Sequence, residues 1–189
     1  ICGQLVQGIG DLCTGKQEAS ADGRVSLKGW GWSGEVDWKL SDRLSVRSIS
    51  AYREYDSYFS NDNDLSPLAN SLGFGDLNFH SFSQELRLNG ALFEDDRLEY
   101  TVGAFYMDQR SIYATTQDLR YSAVSLTQFT GNDPVNADTT ALFSHLSFMV
   151  TDRFTVNAGL RYTDEHKDYN YVRLNRAGTA PAAGVGSLN

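Results

Sequence analysis

The sequence predicts an all-β fold, an antiparallel meander of about six strands. Three observations carry this. Apolar and polar side chains alternate with period 2 over segments of ten or more residues. A short polar turn ending in Asp-Arg plus an apolar residue recurs at Asp42, Asp96 and Asp152, 54 and 56 residues apart. No apolar run approaches the roughly 20 residues of a membrane helix.

The first strand, Gly29 to Leu40, puts Trp30, Trp32, Val36, Trp38 and Leu40 on one face and Ser33, Glu35, Asp37 and Lys39 on the other. The second, Arg43 to Tyr58, alternates less cleanly, and its slip near Ser48–Ile49 predicts a β-bulge. The third, His80 to Gly90, sets Phe82, Leu86 and Leu88 against Ser81, Ser83, Glu85 and Arg87. In the fourth, Arg97 to Met107, Leu98, Tyr100, Val102, Ala104 and Tyr106 share a face. The fifth, Thr140 to Val150, is apolar on both faces. The sixth, Arg153 to Thr163, opposes Phe154, Val156, Ala158, Leu160 and Tyr162 to Asn157, Gly159 and Arg161.

Connections alternate in length. The three Asp-Arg turns are tight, and Asp suits them because its carboxylate can bond nearby backbone N–H groups. Between them lie Phe59–Phe79 and Tyr113–Ala137, rich in Asn, Asp, Ser and Gly, expected to be long loops. Short turns at one end and long loops at the other are the asymmetry of outer-membrane β-barrels. Ten aromatics fall at the strand ends near those loops: Trp30, Trp32, Tyr52, Tyr55, Tyr58, Tyr106, Tyr113, Tyr162, Tyr169 and Tyr171. They are expected to form an interfacial girdle, where amphipathic rings settle at headgroup level. The strands then span residues 29–172, and residues 1–28 and 173–189 are expected to be extracellular loop segments.

A net charge of −8 without a basic block argues against a nucleic-acid partner, because phosphate contacts need clustered Lys and Arg. Cys2 and Cys13 enclose ten residues. A local disulfide formed in an oxidising compartment is the main reading, worth about 2–3 kcal/mol by loop closure. Two free thiols in a cytosolic loop are the alternative. The N-terminus has no basic start, apolar core or cleavage site of a signal peptide, and both ends read as cut from a longer protein.

Several segments together resemble the barrel of TonB-dependent receptors, the active importers of Gram-negative outer membranes. They are Ser33–Leu44, Ser48–Arg53, Ser83-Gln84-Glu85-Leu86-Arg87-Leu88, Val102–Tyr106 and, most tellingly, Val150–Thr163. The resemblance covers about Gly29–Tyr169 and rests on the order and spacing of motifs that are individually weak. It implies a barrel of about 22 strands with a plugged lumen. It also implies uptake of a scarce nutrient (a ferric siderophore, cobalamin or an oligosaccharide) and partners in outer-membrane lipid, a plug domain and the TonB complex. The plug and the TonB-contacting segment are absent from this sequence. A passive porin or adhesin barrel and a soluble carbohydrate-binding β-sandwich are the alternatives.

Glu35, Asp37, Lys39, Arg47, Arg53, Glu85, Arg87 and Arg161 are expected on the lumen face. Of these, Arg53, Glu85, Arg87 and Arg161 are the candidates for substrate contact, against the plainer reading of a solvated, mutually paired barrel interior. The run Asn61-Asp62-Asn63-Asp64 lacks the Gly and terminal Glu of a calcium loop. His80, His145 and His166 have no ligand spacing. No nucleophile–base pair or phosphate-cradling loop stands out, so neither an enzyme nor a cofactor is expected.

Overall fold

The computed structural model describes residues 23–63, 71–93, 95–122 and 125–175. They form one antiparallel sheet of β1 (Arg24–Ser41), β2 (Leu44–Asp62), β3 (Ser71–Leu92), β4 (Leu98–Ser122), β5 (Ser125–Thr151), β6 (Phe154–Tyr169) and the short β7 (Arg173–Asn175). β1 to β6 lie side by side in sequence order, a meander. Cys2 and Cys13 lie outside the described residues.

Away from the turn ends, every directly opposed pair joins residues of equal parity. One row runs Trp30, Glu54, His80, Arg110, Asn136, Asp168. Opposed residues in an antiparallel pair share a face. Even-numbered side chains therefore occupy one face of the whole sheet and odd-numbered ones the other. The bulge expected at Ser48–Ile49 does not form, for the register runs unbroken through both residues. Instead the even face carries a polar cluster there. Ser50 Oγ donates to Gln84 Oε1 at 2.5 Å, and Gln84 Nε2 donates to Ser48 Oγ at 2.9 Å. The hydropathy pattern slips while the backbone does not.

The strands outrun their sequence-predicted limits. β3, β4 and β5 have 22, 25 and 27 residues, against about 10 for one bilayer crossing. Most of the two expected long loops is strand, because β-formers such as Tyr113, Thr115, Thr116, Phe129, Thr130 and Val135 continue each ladder among polar residues. β7 keeps the register of β6, with Val135 opposite Tyr169 and Gly131 opposite Arg173. The interruption between them faces Pro134, which has no N–H to donate; only its carbonyl is used, by Asn170 N at 3.1 Å.

The turn ends are tied across hairpins. Arg43 meets Asp96 at 3.1 Å and donates from Nη1 to the Phe93 carbonyl at 2.8 Å. Phe93 and Asp96 hold this turn in the left-handed region, at φ 72° and 51°.

The sheet has one layer and almost no core. Ala137 and Ala141 are the buried hydrophobic residues among those described. The large apolar side chains lie open on the even face, with Val36 and Trp38 each 66% and Leu160 76% exposed. The even face is also banded. Going up from the turns, the apolar run on β1, β2, β3, β4 and β6 ends in a ring, Trp30, Tyr52, Phe82, Tyr106 and Tyr162, and the next even residue is Lys28, Glu54, His80, Asp108 and Asp164; on β2 and β3 a further ring, Tyr58 and Phe74, stands above the polar residues. From β1 to β6 this boundary steps from the row of Trp30 to the row of Val36, six residues down. That is about 20 Å along the strands over about 24 Å across five steps, a tilt of about 40°. Membrane barrels tilt their strands by about 35–45°.

Candidate functional site

The odd face is the concave one. Nearest the turns its side chains line a hollow of about 630 Å³ with a small polar floor that includes Ser45, Asn89, Thr101, His145, Ser147 and Asn157. Above it Arg47 binds Asp37 at 2.7 Å and Glu35 at 3.2 Å, and Arg87 pairs with Glu85. These pairs are half-exposed, so they organise the surface more than they stabilise it.

Across the same row, Arg161 lies 5.6 Å from the ring centres of both Phe105 and Phe143, and its Nε donates to Thr163 Oγ1 at 3.1 Å. Phe143 lies against Gly103, where any Cβ would collide with the ring. This explains why the fifth strand reads as apolar on both faces: Leu142, Leu146 and Phe148 are outward, while Phe143 covers a glycine inside.

At the height of the aromatic boundary a second hollow, of about 640 Å³, is lined by Gly31, Ser33, Ala51, Arg53, Tyr55, Phe79, Ser81 and Ser83 on the odd face. Tyr55 and Phe79 stack at 4.6 Å. Higher still, Phe59 stacks on Tyr113 at 6.2 Å. There Arg173 is clasped by Asp133 at 2.5 Å and by the Tyr171 ring at 3.8 Å, with Gly131 leaving room for the guanidinium. Burial pushes the Tyr113 phenol above its ordinary range, and the Asp133 hydrogen bond raises the Arg173 guanidinium.

All eight residues expected on one face share the odd face of the sheet. The girdle is corrected by parity: Tyr55, Tyr113, Tyr169 and Tyr171 are odd-numbered and leave it for the concave side. The Asp133–Arg173–Tyr171 cluster escaped sequence reading because Arg173 lies beyond the expected last strand. The pairing of Gly103 with Phe143 needs the register to be seen. Among the described residues no group of three His, Cys, Asp or Glu could hold a metal.

Charge divides across the wall. Among strand residues with described side chains, the odd face carries seven basic and six acidic groups, and the even face three basic and nine acidic. A sheet with one banded apolar face, one concave charged face, no second layer and strands tilted by about 40° is a stretch of transmembrane barrel wall.

The sequence matches the family model described as TonB dependent receptor-like, beta-barrel over residues 10–188, and the chain belongs to this family. Among solved structures, it is similar to the ferric yersiniabactin uptake receptor FyuA from Yersinia pestis, at 18% identity and a TM-score of 0.62. That likeness covers 82% of this chain and 23% of the receptor, so the chain spans about a quarter of its length. No match was found among curated protein sequences.

Proposed function

We propose that the chain forms part of the barrel wall of an outer-membrane receptor for TonB-energised uptake of a scarce nutrient, of the ferric siderophore, cobalamin or oligosaccharide class. The observation that carries this is the two-faced wall: a banded apolar face fit for lipid, backed by a concave face rich in charged and aromatic side chains, in a chain of this family. The even face meets outer-membrane lipid. The odd face meets the plug domain below and the nutrient above, with Arg53, Glu85, Arg87 and Arg161 among the residues in reach. The structural neighbour is a ferric yersiniabactin uptake receptor, which favours an iron chelate.

The test is uptake in a host lacking the full-length gene, complemented with or without a functional TonB. Accumulation of a labelled nutrient that depends on both supports the reading. Accumulation that persists without TonB points to a passive pore and refutes it.

A further inference from the structure

We propose that the upper hollow of the odd face binds an anionic ligand carrying a planar aromatic ring, with Arg53 meeting the charge and the Tyr55–Phe79 pair meeting the ring. This rests on the receptor reading above and names the ligand chemistry of that wall.

Among the described residues Arg53 is the only charged one lining the odd face of this hollow. Its direct cross-strand neighbours are Gly31 and Ser81. On the turn side the next odd positions are Ser33, Ala51 and Ser83, none larger than serine, and on the other side they are Gly29, Tyr55 and Phe79. Among the described residues no carboxylate lies within ion-pair distance of it, whereas Arg47 and Arg87 lower on the same face are both paired. The row through Arg53 runs Gly31, Arg53, Ser81, Gln109, Ala137, Lys167: two cations and no acid. The acids nearest this row on β2, β4 and β5, Glu54, Asp108 and Asp138, sit on the even face, and Glu165, an odd-face acid near this row, is four strands away on β6. The wall thus keeps negative charge away from Arg53 while placing it on the opposite side of the same strands.

The floor is held open by backbone geometry. A Cβ on Gly31 would lie 2.8 Å from the Tyr52 carbonyl, and one on Gly29 would lie 2.7 Å from Tyr55 Cβ. The two β1 positions directly opposite Arg53 and Tyr55 therefore carry no side chain. On the other flank Phe79 stacks on Tyr55 with their planes 21° apart, and the two rings form a shelf beside the guanidinium.

A guanidinium presents a planar fork of N–H donors that matches carboxylate or phenolate oxygens, and an aromatic shelf accepts a planar ring by offset stacking. An aryl group bearing an acidic oxygen uses both. A neutral sugar would use the shelf and leave the cation idle, and a cationic chelate would be repelled.

The experiment uses the full-length receptor, purified in detergent and titrated with two iron complexes by quenching of its intrinsic fluorescence. One is anionic, iron(III) with 2,3-dihydroxybenzoate. The other is a neutral iron(III) trihydroxamate. The wild type is expected to favour the anionic complex. Arg53→Gln is expected to weaken that complex about tenfold and leave the neutral one unchanged, the loss of one charge-assisted contact. Phe79→Ala is expected to weaken it further while preserving the preference for charge.

Equal losses for both complexes in Arg53→Gln would overturn the charge assignment. A lower unfolding temperature of the unliganded Arg53→Gln receptor, with discrimination intact, would assign Arg53 to the plug and overturn it too. If the wild type binds no anionic complex yet imports another nutrient through TonB, the ligand class falls and the receptor reading stands. Absence of any TonB-dependent import would instead sink the receptor reading.

Discussion

Val102 gives the sharpest test of the two-faced wall. On β4 the outward apolar stretch runs from Leu98 to Tyr106, with Val102 at its centre and 49% exposed. Eight residues span about 27 Å along the strand, or about 20 Å of height at a tilt of about 40°. Val102 then sits about 10 Å from either edge of the belt. An arginine on the lipid face costs about 2–4 kcal/mol at the midplane and about 0–1 near the interfaces. Val102→Arg should therefore lose about 3 kcal/mol. Val156→Arg, two residues from Phe154 and about 5 Å from the turn-side edge, should lose about 1 kcal/mol. Thr101→Arg points into the wet hollow below the ion pairs. Its main cost is the hydrogen bond from Thr101 Oγ1 to Asn89 Oδ1 at 2.9 Å, worth about 1 kcal/mol. The assay is denaturant unfolding of the full-length receptor in lipid vesicles, followed by heat-modifiable gel mobility. Equal losses at Thr101 and Val102 would refute the face assignment. A larger loss at Val156 than at Val102 would refute the depth scale.

Other outcomes follow from single features. Gly103→Leu forces Phe143 off the wall and should cost about 1–3 kcal/mol in the same assay, with no loss if Phe143 is freely mobile. Asp133→Ala strands a guanidinium whose side chain is only 10% exposed and should cost about 3 kcal/mol; adding Arg173→Ala should restore part of it, and strictly additive losses would deny the pair. Cys2 and Cys13 should appear as one disulfide in mass spectrometry of receptor taken from the native membrane without reductant, and two alkylatable thiols would exclude it. The 189-residue chain alone should aggregate in detergent-free water, since β1 and β6 leave open edges and the even face lacks lipid; a sharp monomer peak on size exclusion would contradict this.

What sequence could supply was whatever repeats with period 2. Trp30, Trp32, Val36, Trp38 and Leu40 share a face with Phe154, Val156, Leu160 and Tyr162, as their alternation predicts, because each strand is half apolar within itself. The tight turns were legible because Asp-Arg marks them. Three things were not. Polar stretches past Tyr58 and Tyr113 looked like loop, because in an extension above the membrane neither face needs to be apolar and alternation disappears. Ser48 and Ser50 mimic a bulge, because their partner Gln84 lies 36 and 34 residues on and only the register joins them. The aromatics were pooled into one girdle by position along the strands. Parity then sends Tyr55 to a shelf and Tyr52 to the membrane boundary, though the two are three residues apart.

The tilt can be read from the opposite edge as well. On the turn side, the row of Leu44 runs through Gly90, Tyr100 and Leu146 to Ala158. Phe154, the lowest outward ring of β6, lies four residues below that row. Four residues over the four steps from β2 to β6 give about 13 Å against about 19 Å, a tilt of about 35°. The upper edge is set by where rings give way to charge, and the lower by where the chain turns. These are independent features of the sequence, yet they descend in the same direction and at nearly the same rate. Two parallel oblique edges define a band of constant height, which only a slab-shaped environment requires. A soluble sheet has no reason to keep its apolar limits parallel from strand to strand, whereas a bilayer imposes it on each strand separately through the cost of putting a charge below the line.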